Sequence, residues 1–230
     1  MRIALFSDIH ANLPAFEAFL TDLDSRKVDA VYCLGDMIGY NIWPNEIIAE
    51  IRRRGIATLA GNHDQKTKGY AYELVSAENR QYLTMLPAHI KLEFQLNNDH
   101  LNIVLAHGST RSINEYVLED TDETYVLAMM NEAEADILCV GHSHLPYHRI
   151  IDDNGSFKHV INIGSVGKPK DGNPNCCYVL LTINESSSVN DRDGIHVDSI
   201  RVPYNVERAA KAVEDSPLPD ELADRLRKAY

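Results

Sequence analysis

Short apolar runs rich in β-branched residues alternate with amphipathic segments in the first part of the chain. Such runs predict strands, and apolar residues at helical spacing predict helices between them. The predicted elements are a strand over Arg2–Ser7, a helix over Pro14–Arg26, a strand over Ala30–Leu34, a helix over Pro44–Arg54 and a strand over Ile56–Leu59. A β-α-β-α-β series favours a parallel sheet with helices on its faces.

Farther along the chain, pairs of strand-like runs flank polar turns. One turn is Asn-Asn-Asp-His at 97–100, and the other contains Asn154-Gly155, a strong hairpin signal. Antiparallel pairing is therefore expected in this part. The predicted strands are Lys91–Leu96, Leu101–Ala106, Asp136–Val140, Tyr147–Ile151, Ser156–Ile161, Tyr178–Thr182 and Ile195–Val202, and the predicted helices are Glu119–Asn131, Asn205–Glu214 and Pro219–Lys228.

The sequence contains no linker long enough for a domain boundary, no internal repeat and no low-complexity tract. These elements predict an α/β fold, a four-layer α/β/β/α sandwich of two mixed β-sheets flanked by helices. Residues 1–230 are expected to form one domain with a C-terminal helical extension at about 204–230. Its two amphipathic helices could cover a sheet edge or pair protomers, so a homo-oligomer is one possibility.

Polar side chains cluster in loops that directly follow the apolar runs. Such loops lie beyond the carboxyl ends of strands, where α/β proteins bind ligands. Each motif alone is a weak signal, but five in series are specific jointly. In chain order they are Asp8-x-His10, Gly35-Asp36, Gly61-Asn62-His63-Asp64, Ala106-His107-Gly108 and Gly141-His142-Ser143-His144.

This ordered set resembles the calcineurin-like metallophosphoesterase superfamily, from the first strand through at least Gly167. The stretch 162–167, followed by Pro169 and Asp171, is also similar to the small bacterial phosphodiesterases of that superfamily. The resemblance implies a dinuclear metal site with three ligands on each ion and one bridging carboxylate. It assigns Asp8, His10 and His144 to one metal, Asn62, His107 and His142 to the other, and Asp36 to both.

The implied cofactors are two divalent transition-metal ions. Imidazole, carboxylate and amide ligands suit manganese, iron, zinc or nickel, of which manganese is expected here. Two such ions roughly 3.5–4 Å apart lower the pKa of a shared water, so a metal-bridging hydroxide is the implied nucleophile.

Two further residues are assigned to catalysis by the same resemblance. His63 would contact a phosphoryl oxygen or protonate the leaving alkoxide, the alternative being a structural histidine. Asp64 would either be the partner of His63 or orient a ligand or the loop.

The segment after Asp36 departs from the protein phosphatases of the superfamily, which carry an arginine that contacts phosphate. No arginine follows here, and Gly39 stands in place of a carboxylate that would pair with His63. The expected function is therefore a phosphodiesterase acting on a small or nucleotide phosphoester. The alternatives are a nucleoside-polyphosphate pyrophosphohydrolase or phosphomonoesterase and, in another class, a non-catalytic scaffold of the same fold.

Other side chains near the motifs could contact a substrate. Asn41 is one candidate, whereas Arg111 and Lys168 are guesses, because a single arginine or lysine is more often solvated. Aromatic faces at Tyr40, Trp43 and Tyr70 could stack a nucleobase or simply pack at the rim.

Composition adds a few constraints. A net charge of −12 and a pI near 5.2 argue against non-specific binding to nucleic acid or to anionic membranes. Bound divalent cations can supply the positive charge that a phosphate needs. No stretch has the pattern of a signal peptide or a membrane span, so a cytoplasmic location is expected. The four cysteines show no metal-binding or disulfide spacing and are expected to be reduced: Cys33, Cys139, Cys176 and Cys177.

Overall fold

The computed structural model describes residues 1–96 and 100–230. Two mixed five-stranded sheets are flanked by helices, which confirms the predicted sandwich. The strands are β1 (Arg2–Phe6), β2 (Ala30–Cys33), β3 (Ala57–Thr58), β4 (His89–Gln95), β5 (His100–Ala106), β6 (Ile137–Val140), β7 (Tyr147–Asp153), β8 (Ser156–Asn162), β9 (Cys176–Thr182) and β10 (His196–Val202). The helices are α1 (Leu13–Ser25), α2 (Pro44–Arg54), α3 (Tyr70–Glu73), α4 (Ala77–Thr84), α5 (Glu123–Glu132), α6 (Val206–Glu214) and α7 (Glu221–Lys228).

Each sheet combines parallel strands with antiparallel ones. The first sheet has the order β10-β9-β1-β2-β3, in which β1, β2 and β3 run parallel. The second has the order β4-β5-β6-β8-β7, in which β5, β6 and β8 run parallel. The hairpin pairings β4·β5 and β7·β8 are antiparallel, as their turns predicted.

Strand β1 shows how the layers are held together. It lies between β2 and β9, and four of its five residues are buried. Ile3 and Leu5 contribute to the core between the two sheets, whereas Ala4 and Phe6 pack towards the helices of the first sheet. Because alternate residues of a strand point to opposite faces, an unbroken apolar run fits a strand that is covered on both sides.

Leu5→Ala should destabilise the fold by about 2–5 kcal/mol, the usual range for removing a fully buried leucine side chain. Leu5 is 0% exposed in the core between the sheets. Urea unfolding of both proteins would measure the difference, with Leu118→Ala, at a 37% exposed position, as the control. A loss below about 1 kcal/mol would contradict tight packing between the sheets.

The C-terminal helices find their apolar partners within the chain. The buried faces of α6 and α7 form a cluster of their own, and α6 also packs on α1. The Gly172 N–H donates to the Ala229 carbonyl at 2.9 Å, which fixes the end of the chain beside the loop after β8. Their apolar faces are therefore buried in contacts between the two helices and with α1.

A few local expectations differ from the structure. The helix predicted over Glu119–Asn131 begins only at Glu123, because Asp122 caps it by accepting from the Tyr125 N–H at 2.9 Å. Helices α3 and α4 were not predicted. The predicted turn at 97–100 falls mostly on 97–99, outside the described residues. All four cysteines are buried and free. No helix in the described part of the chain is long and apolar enough to cross a membrane.

Candidate metal centre

The predicted ligands all follow parallel strands, whose carboxyl ends from both sheets meet at one edge of the sandwich. Backbone hydrogen bonds hold the loops together, for example from the Asp8 N–H to the Gly35 carbonyl at 3.0 Å and from the His10 N–H to the Asp36 carbonyl at 2.9 Å. In chain order, Asp8 and His10 follow β1, Asp36 follows β2, Asn62 follows β3, His107 follows β5, and His142 and His144 follow β6.

The backbone at this edge is strained. Five of the seven predicted ligands have positive φ values between 50° and 63°, a region that residues other than glycine seldom adopt. Such strain persists only where the surroundings enforce it, and it clusters at functional sites. The five residues are Asp8, His10, Asp36, His142 and His144.

Asp8, His10 and His144 bring three donor atoms together, all within 4.8 Å of one another. His144 Nε2 lies 3.1 Å from Asp8 Oδ1 and 3.1 Å from His10 Nε2, and His10 Nε2 lies 3.6 Å from Asp8 Oδ1. Donors that share an ion at about 2.1 Å lie roughly 3.0–3.4 Å apart. Two of the three separations fall in this range and the third exceeds it by 0.2 Å, so the atoms have close to the spacing of ligands to a single ion.

A second set surrounds the other predicted ion. Ligand atoms of Asp36, His107 and His142 also lie within 4.8 Å of one another. His107 Nε2 is 3.4 Å from Asp36 Oδ2 and 3.2 Å from Asn62 Oδ1. The four residues predicted around this ion therefore converge.

Asp36 lies between the two sets. Its Oδ2 atom is 3.7 Å from His10 Nε2 and 3.4 Å from His107 Nε2, and its side chain is 1% exposed. Its Oδ1 atom accepts from the His63 N–H at 2.7 Å. One carboxylate oxygen thus faces a donor of each set, as a bridging ligand must.

Hydrogen bonds to backbone carbonyls fix the tautomer of each predicted histidine ligand. Nδ1 of His10, His107 and His144 donates to the carbonyls of Ile38, Leu34 and Lys168 at 3.1, 2.8 and 2.5 Å. In a neutral ring the Nε2 lone pair is then free for a metal. In His142 the two ring nitrogens exchange roles: Nε2 donates to the Asn114 carbonyl at 3.3 Å, and Nδ1 is free for a metal.

The donor set fits divalent cations. With their Nδ1 atoms donating, the neutral rings of His10 and His144 turn two lone pairs towards each other and towards Asp8 Oδ1. That carboxylate oxygen is buried and accepts no hydrogen bond from the described residues. Lone pairs this close repel unless a proton or a cation lies between them. The mixed nitrogen and oxygen donors suit manganese, iron, zinc or nickel.

The pKa values of the ligands also favour a bound cation. Burial would raise the pKa of Asp8, but His144 and His10 hold it well below its usual range. Burial would lower the pKa of His107, yet the Asp36 charge beside it raises that pKa to about 10. A metal ligand must be deprotonated, so metal uptake should release the His107 proton and weaken as the pH falls.

His63 lies beside both sets. Its ring centroid is 4.9 Å from that of His10 and 4.7 Å from that of Tyr40, and one ring nitrogen falls within 4.8 Å of donors on His10 and Asp36. Burial, with the neighbouring His10 imidazole, lowers the pKa of His63 to about 3, so the ring is neutral at neutral pH. A Cβ on Gly39 would lie 2.5 Å from His63 Nδ1, and Lys66 Nζ lies 3.0 Å from both ring nitrogens.

Asp64 organises the loop that carries Asp36. Its carboxylate accepts from the N–H groups of Asp36, Met37, Ile38 and Gly61, at 2.7 to 3.3 Å. These bonds occupy both of its oxygens, and the geometry favours the orienting role over that of partner to His63. Burial and the Asp36 charge raise the pKa of Asp64 to about 7.

The additional contacts considered from the sequence have different outcomes. Arg111 forms an ion pair with Glu132 at 2.6 Å, which argues against it as a phosphate contact. Asn41 is buried and donates to the His10 carbonyl at 2.9 Å, so it supports that loop. Lys168 is buried close to the centre.

Of the three aromatic residues that the sequence placed near the motifs, Tyr40 lies against a predicted ligand. Its ring lies 4.7 Å from that of His10, whereas Trp43 precedes α2 and Tyr70 begins α3. Sequence reasoning missed Tyr116, which is 52% exposed and stacks on the His142 ring at 4.2 Å and 18°. It sits in a loop far from any motif, so no sequence signal identified it.

Comparison with known proteins defines the family. Residues 1–186 match the calcineurin-like phosphoesterase superfamily domain. The chain therefore belongs to the calcineurin-like phosphoesterase superfamily, as its motifs predicted. Helices α6 and α7 lie beyond the matched residues.

Individual relatives match along nearly the whole chain. An uncharacterized protein of Methanocaldococcus jannaschii is 29% identical to this chain, and the match covers 97% of this chain and 96% of that protein. A metallophosphoesterase from Sphaerobacter thermophilus is 26% identical with a TM-score of 0.78, over 100% of this chain and 99% of that one. Vps29 from Chaetomium thermophilum shares the fold at 16% identity and a TM-score of 0.53, over 89% and 97% of the two chains.

Gly61→Ala should displace Asp36 and weaken metal binding about 10–100-fold, the usual effect of disturbing the residues that orient a ligand. A Cβ at position 61 would lie 2.2 Å from Asp36 Oδ1, well inside van der Waals contact. Titration with Mn²⁺ would measure the affinity. The control is Gly55→Ala, where φ is 65° and the space is open, so stability falls while metal affinity stays. Unchanged affinity in Gly61→Ala would mean that Asp36 can move without loss.

Proposed function

We propose that this protein is a dinuclear metal-dependent phosphodiesterase acting on a small or nucleotide phosphoester. The observation that carries the proposal is the position of the Asp36 carboxylate, with Oδ2 within 3.7 Å of donors from both ligand sets. Membership of the superfamily and the likeness to a metallophosphoesterase at 26% identity support it. Manganese as the metal and a cytoplasmic location stay predictions from the sequence.

The seven predicted residues would hold the two ions, with Asp36 bridging. When bound, the ions lower the pKa of water and neutralise charge on the phosphoryl oxygens. The chain supplies the geometry: carbonyls orient the imidazoles, Asp64 fixes the Asp36 loop, and the strained backbone aims the ligands inward. Asp8 and Asp36 are buried anions that need cations nearby.

His63 is proposed as the residue that assists at the phosphoryl group. A neutral imidazole can donate one N–H to a phosphoryl oxygen. Protonation of a leaving alkoxide needs the imidazolium, and the negative charge of a bound substrate would favour that form. Its half-buried position between His10 and Tyr40 holds the ring at the edge of the site.

Other functions on the same fold are distinguished by the site. The segment from Met37 to Asn41 supplies no arginine, which weighs against a protein-phosphatase type of substrate. A phosphomonoesterase or nucleoside-polyphosphate pyrophosphohydrolase remains the alternative within this chemistry. The likeness to Vps29 concerns the fold alone. A scaffold has no need of a complete donor set on a strained backbone, so that set favours an enzyme.

Two measurements test the proposal. Purified protein incubated with Mn²⁺ should hold about two ions per chain by elemental analysis and should hydrolyse bis-p-nitrophenyl phosphate faster than p-nitrophenyl phosphate. Two ions without turnover on these esters or on dinucleoside polyphosphates would support the scaffold. Failure to take up metal would remove the basis of the enzyme proposal.

A further inference from the structure

Lys168 is a buried cation that forms no ion pair with the described residues. The residue is 1% exposed, and its Nζ atom has no hydrogen-bond partner or ion pair among residues 1–96 and 100–230. Lysine is almost never fully buried unless it is paired, because desolvating an ammonium group costs free energy that a partner must offset. The face of the Tyr40 ring, 4.9 Å from Nζ, offsets part of this cost. An anionic ligand would offset the rest.

The ammonium group lies next to the metal centre. The Lys168 carbonyl accepts from His144 Nδ1 at 2.5 Å, which ties its backbone to a predicted ligand. Its Nζ atom lies 4.9 Å from the centroid of the Tyr40 ring, and that ring is 4.7 Å from the rings of both His10 and His63. The Tyr40 ring therefore lies between this charge and the side chains of His10 and His63.

Two more cations lie on the same side of the site. The Lys170 N–H donates to the His144 carbonyl at 3.4 Å, and Arg225 comes from α7 in the C-terminal extension. Burial, with the charges of Lys170 and Arg225, lowers the pKa of Lys168 to about 8, and the charges of Asp8 and Glu221 oppose this only in part. Of these, Arg225 is paired with Glu221. The chain as a whole carries a net charge of −12, so this local grouping of positive charge runs against the overall balance.

We propose that Lys168, with Lys170 and Arg225 around it, forms a subsite for a second phosphoryl group of the substrate. The inference rests on the proposed function, because the scissile phosphate is taken to lie on the two ligand sets. The ammonium group lies across the Tyr40 ring from that phosphate, and there it would pair with a second anion attached to the same molecule. Charge-assisted hydrogen bonds to phosphate are the strong ones, which suits a site that leaves its lysine unpaired otherwise.

The subsite narrows the class of substrate that the enzyme is expected to prefer. A phosphodiester with two neutral arms would leave Lys168 unpaired, whereas a polyphosphate or a phosphorylated leaving group would neutralise it. The preferred substrates should therefore carry two phosphoryl groups, as nucleoside polyphosphates do. Helix α7, beyond the residues that match the superfamily domain, would contribute to this selectivity through Arg225.

Calorimetric titration tests the subsite without turnover. Manganese-loaded protein is titrated with orthophosphate and with methylenediphosphonate, whose two phosphoryl groups are joined by a carbon and cannot be hydrolysed. The wild type should bind the diphosphonate at least about tenfold more tightly, the effect of one charge-assisted contact. In Lys168→Met the ratio of the two affinities should fall close to one. The control is Lys91→Met, which removes a lysine of β4 that is paired with Glu134 and should leave the ratio unchanged. Metal content measured after each titration excludes loss of metal to the ligand.

Stability separates binding from structure. Methionine matches the length of lysine without its charge, so Lys168→Met should keep or raise the melting temperature. A lower melting temperature with an unchanged affinity ratio would show a structural lysine and overturn the inference. If Lys168→Met does not fold, Arg225→Gln is titrated instead, because the exposed ion pair between Arg225 and Glu221 contributes little to stability. It should lower the ratio about two- to fivefold, and an unchanged ratio there would also count against the subsite.

Turnover distinguishes the two proposals. Hydrolysis of bis-p-nitrophenyl phosphate is measured on the same wild-type preparation. A tenfold diphosphonate preference without any hydrolysis would overturn the proposed function and retain an anion subsite. Hydrolysis without the preference would retain the function and overturn the subsite.

Discussion

Asp36→Asn should lower kcat/KM for bis-p-nitrophenyl phosphate by about 10³-fold or more and reduce the metal content below two ions per chain. The metal pair contributes several kcal/mol to the transition state, and each 1.36 kcal/mol is a factor of ten. Asparagine is nearly isosteric, but neither orientation of its amide works. An NH₂ group in place of Oδ2 cannot bind a cation, and in place of Oδ1 it would face the His63 N–H, a donor 2.7 Å away.

A matched substitution shows whether the effect is local. Asp198→Asn removes the same charge on β10, where the carboxylate is 45% exposed and contacts His196 at 3.1 Å. It should retain two ions and full turnover. If Asp36→Asn also retained both ions and its rate, a bridging role for Asp36 would be excluded.

His63→Ala should lower kcat about 10²–10⁴-fold, the usual contribution of a positioned proton donor, while both ions stay bound. The test discriminates between two roles, because a nitrogen of His63 falls within ligand distance of His10 and Asp36. A ligand would take metal with it when removed, whereas a substrate contact would not. Single-turnover rates and elemental analysis on the same preparation give both quantities.

Two controls accompany the His63 variant. His196→Ala removes a 68% exposed histidine from β10 and should change neither rate nor metal content. Added imidazole should partly restore the rate of His63→Ala if the lost group is a proton donor or hydrogen-bond donor. Metal loss in His63→Ala equal to that in Asp36→Asn would make His63 a ligand and refute its proposed role.

The parts of the fold with strong periodicity were predictable. Strand β1 reads as a continuous apolar run because both its faces are covered, and its end was marked by Ser7-Asp8. Helix α4 shows why others were missed. Only Asn79 and Leu83 of its eight residues are buried, so it lacks an apolar stripe that sequence alone would reveal. Its cap, Ser76 accepting from the Asn79 N–H at 3.3 Å, is a signal too common to decide.

For the site, the sequence predicted which residues are ligands but not their backbone conformation or the burial of their neighbours. The motifs located seven ligand candidates, and the structure brings them together. The left-handed backbone at Asp8 and Asp36 has no signature in residue type, because neither is glycine. The burial of Lys168 depends on packing by distant segments, and sequence reasoning expected a solvated side chain in most such cases. Tyr116 reaches His142 only through a loop fold that no local pattern specifies.

The split of each ligand set between the two sheets has a consequence for biogenesis. Asp8 and His10 follow a strand of the first sheet and His144 one of the second, and the set around Asp36 is divided in the same way. Neither sheet alone could bind an ion with the full set. Metal loading should therefore be a late event in maturation, after the sheets have docked, and a newly made chain would present only incomplete sites to the competing metals of the cell.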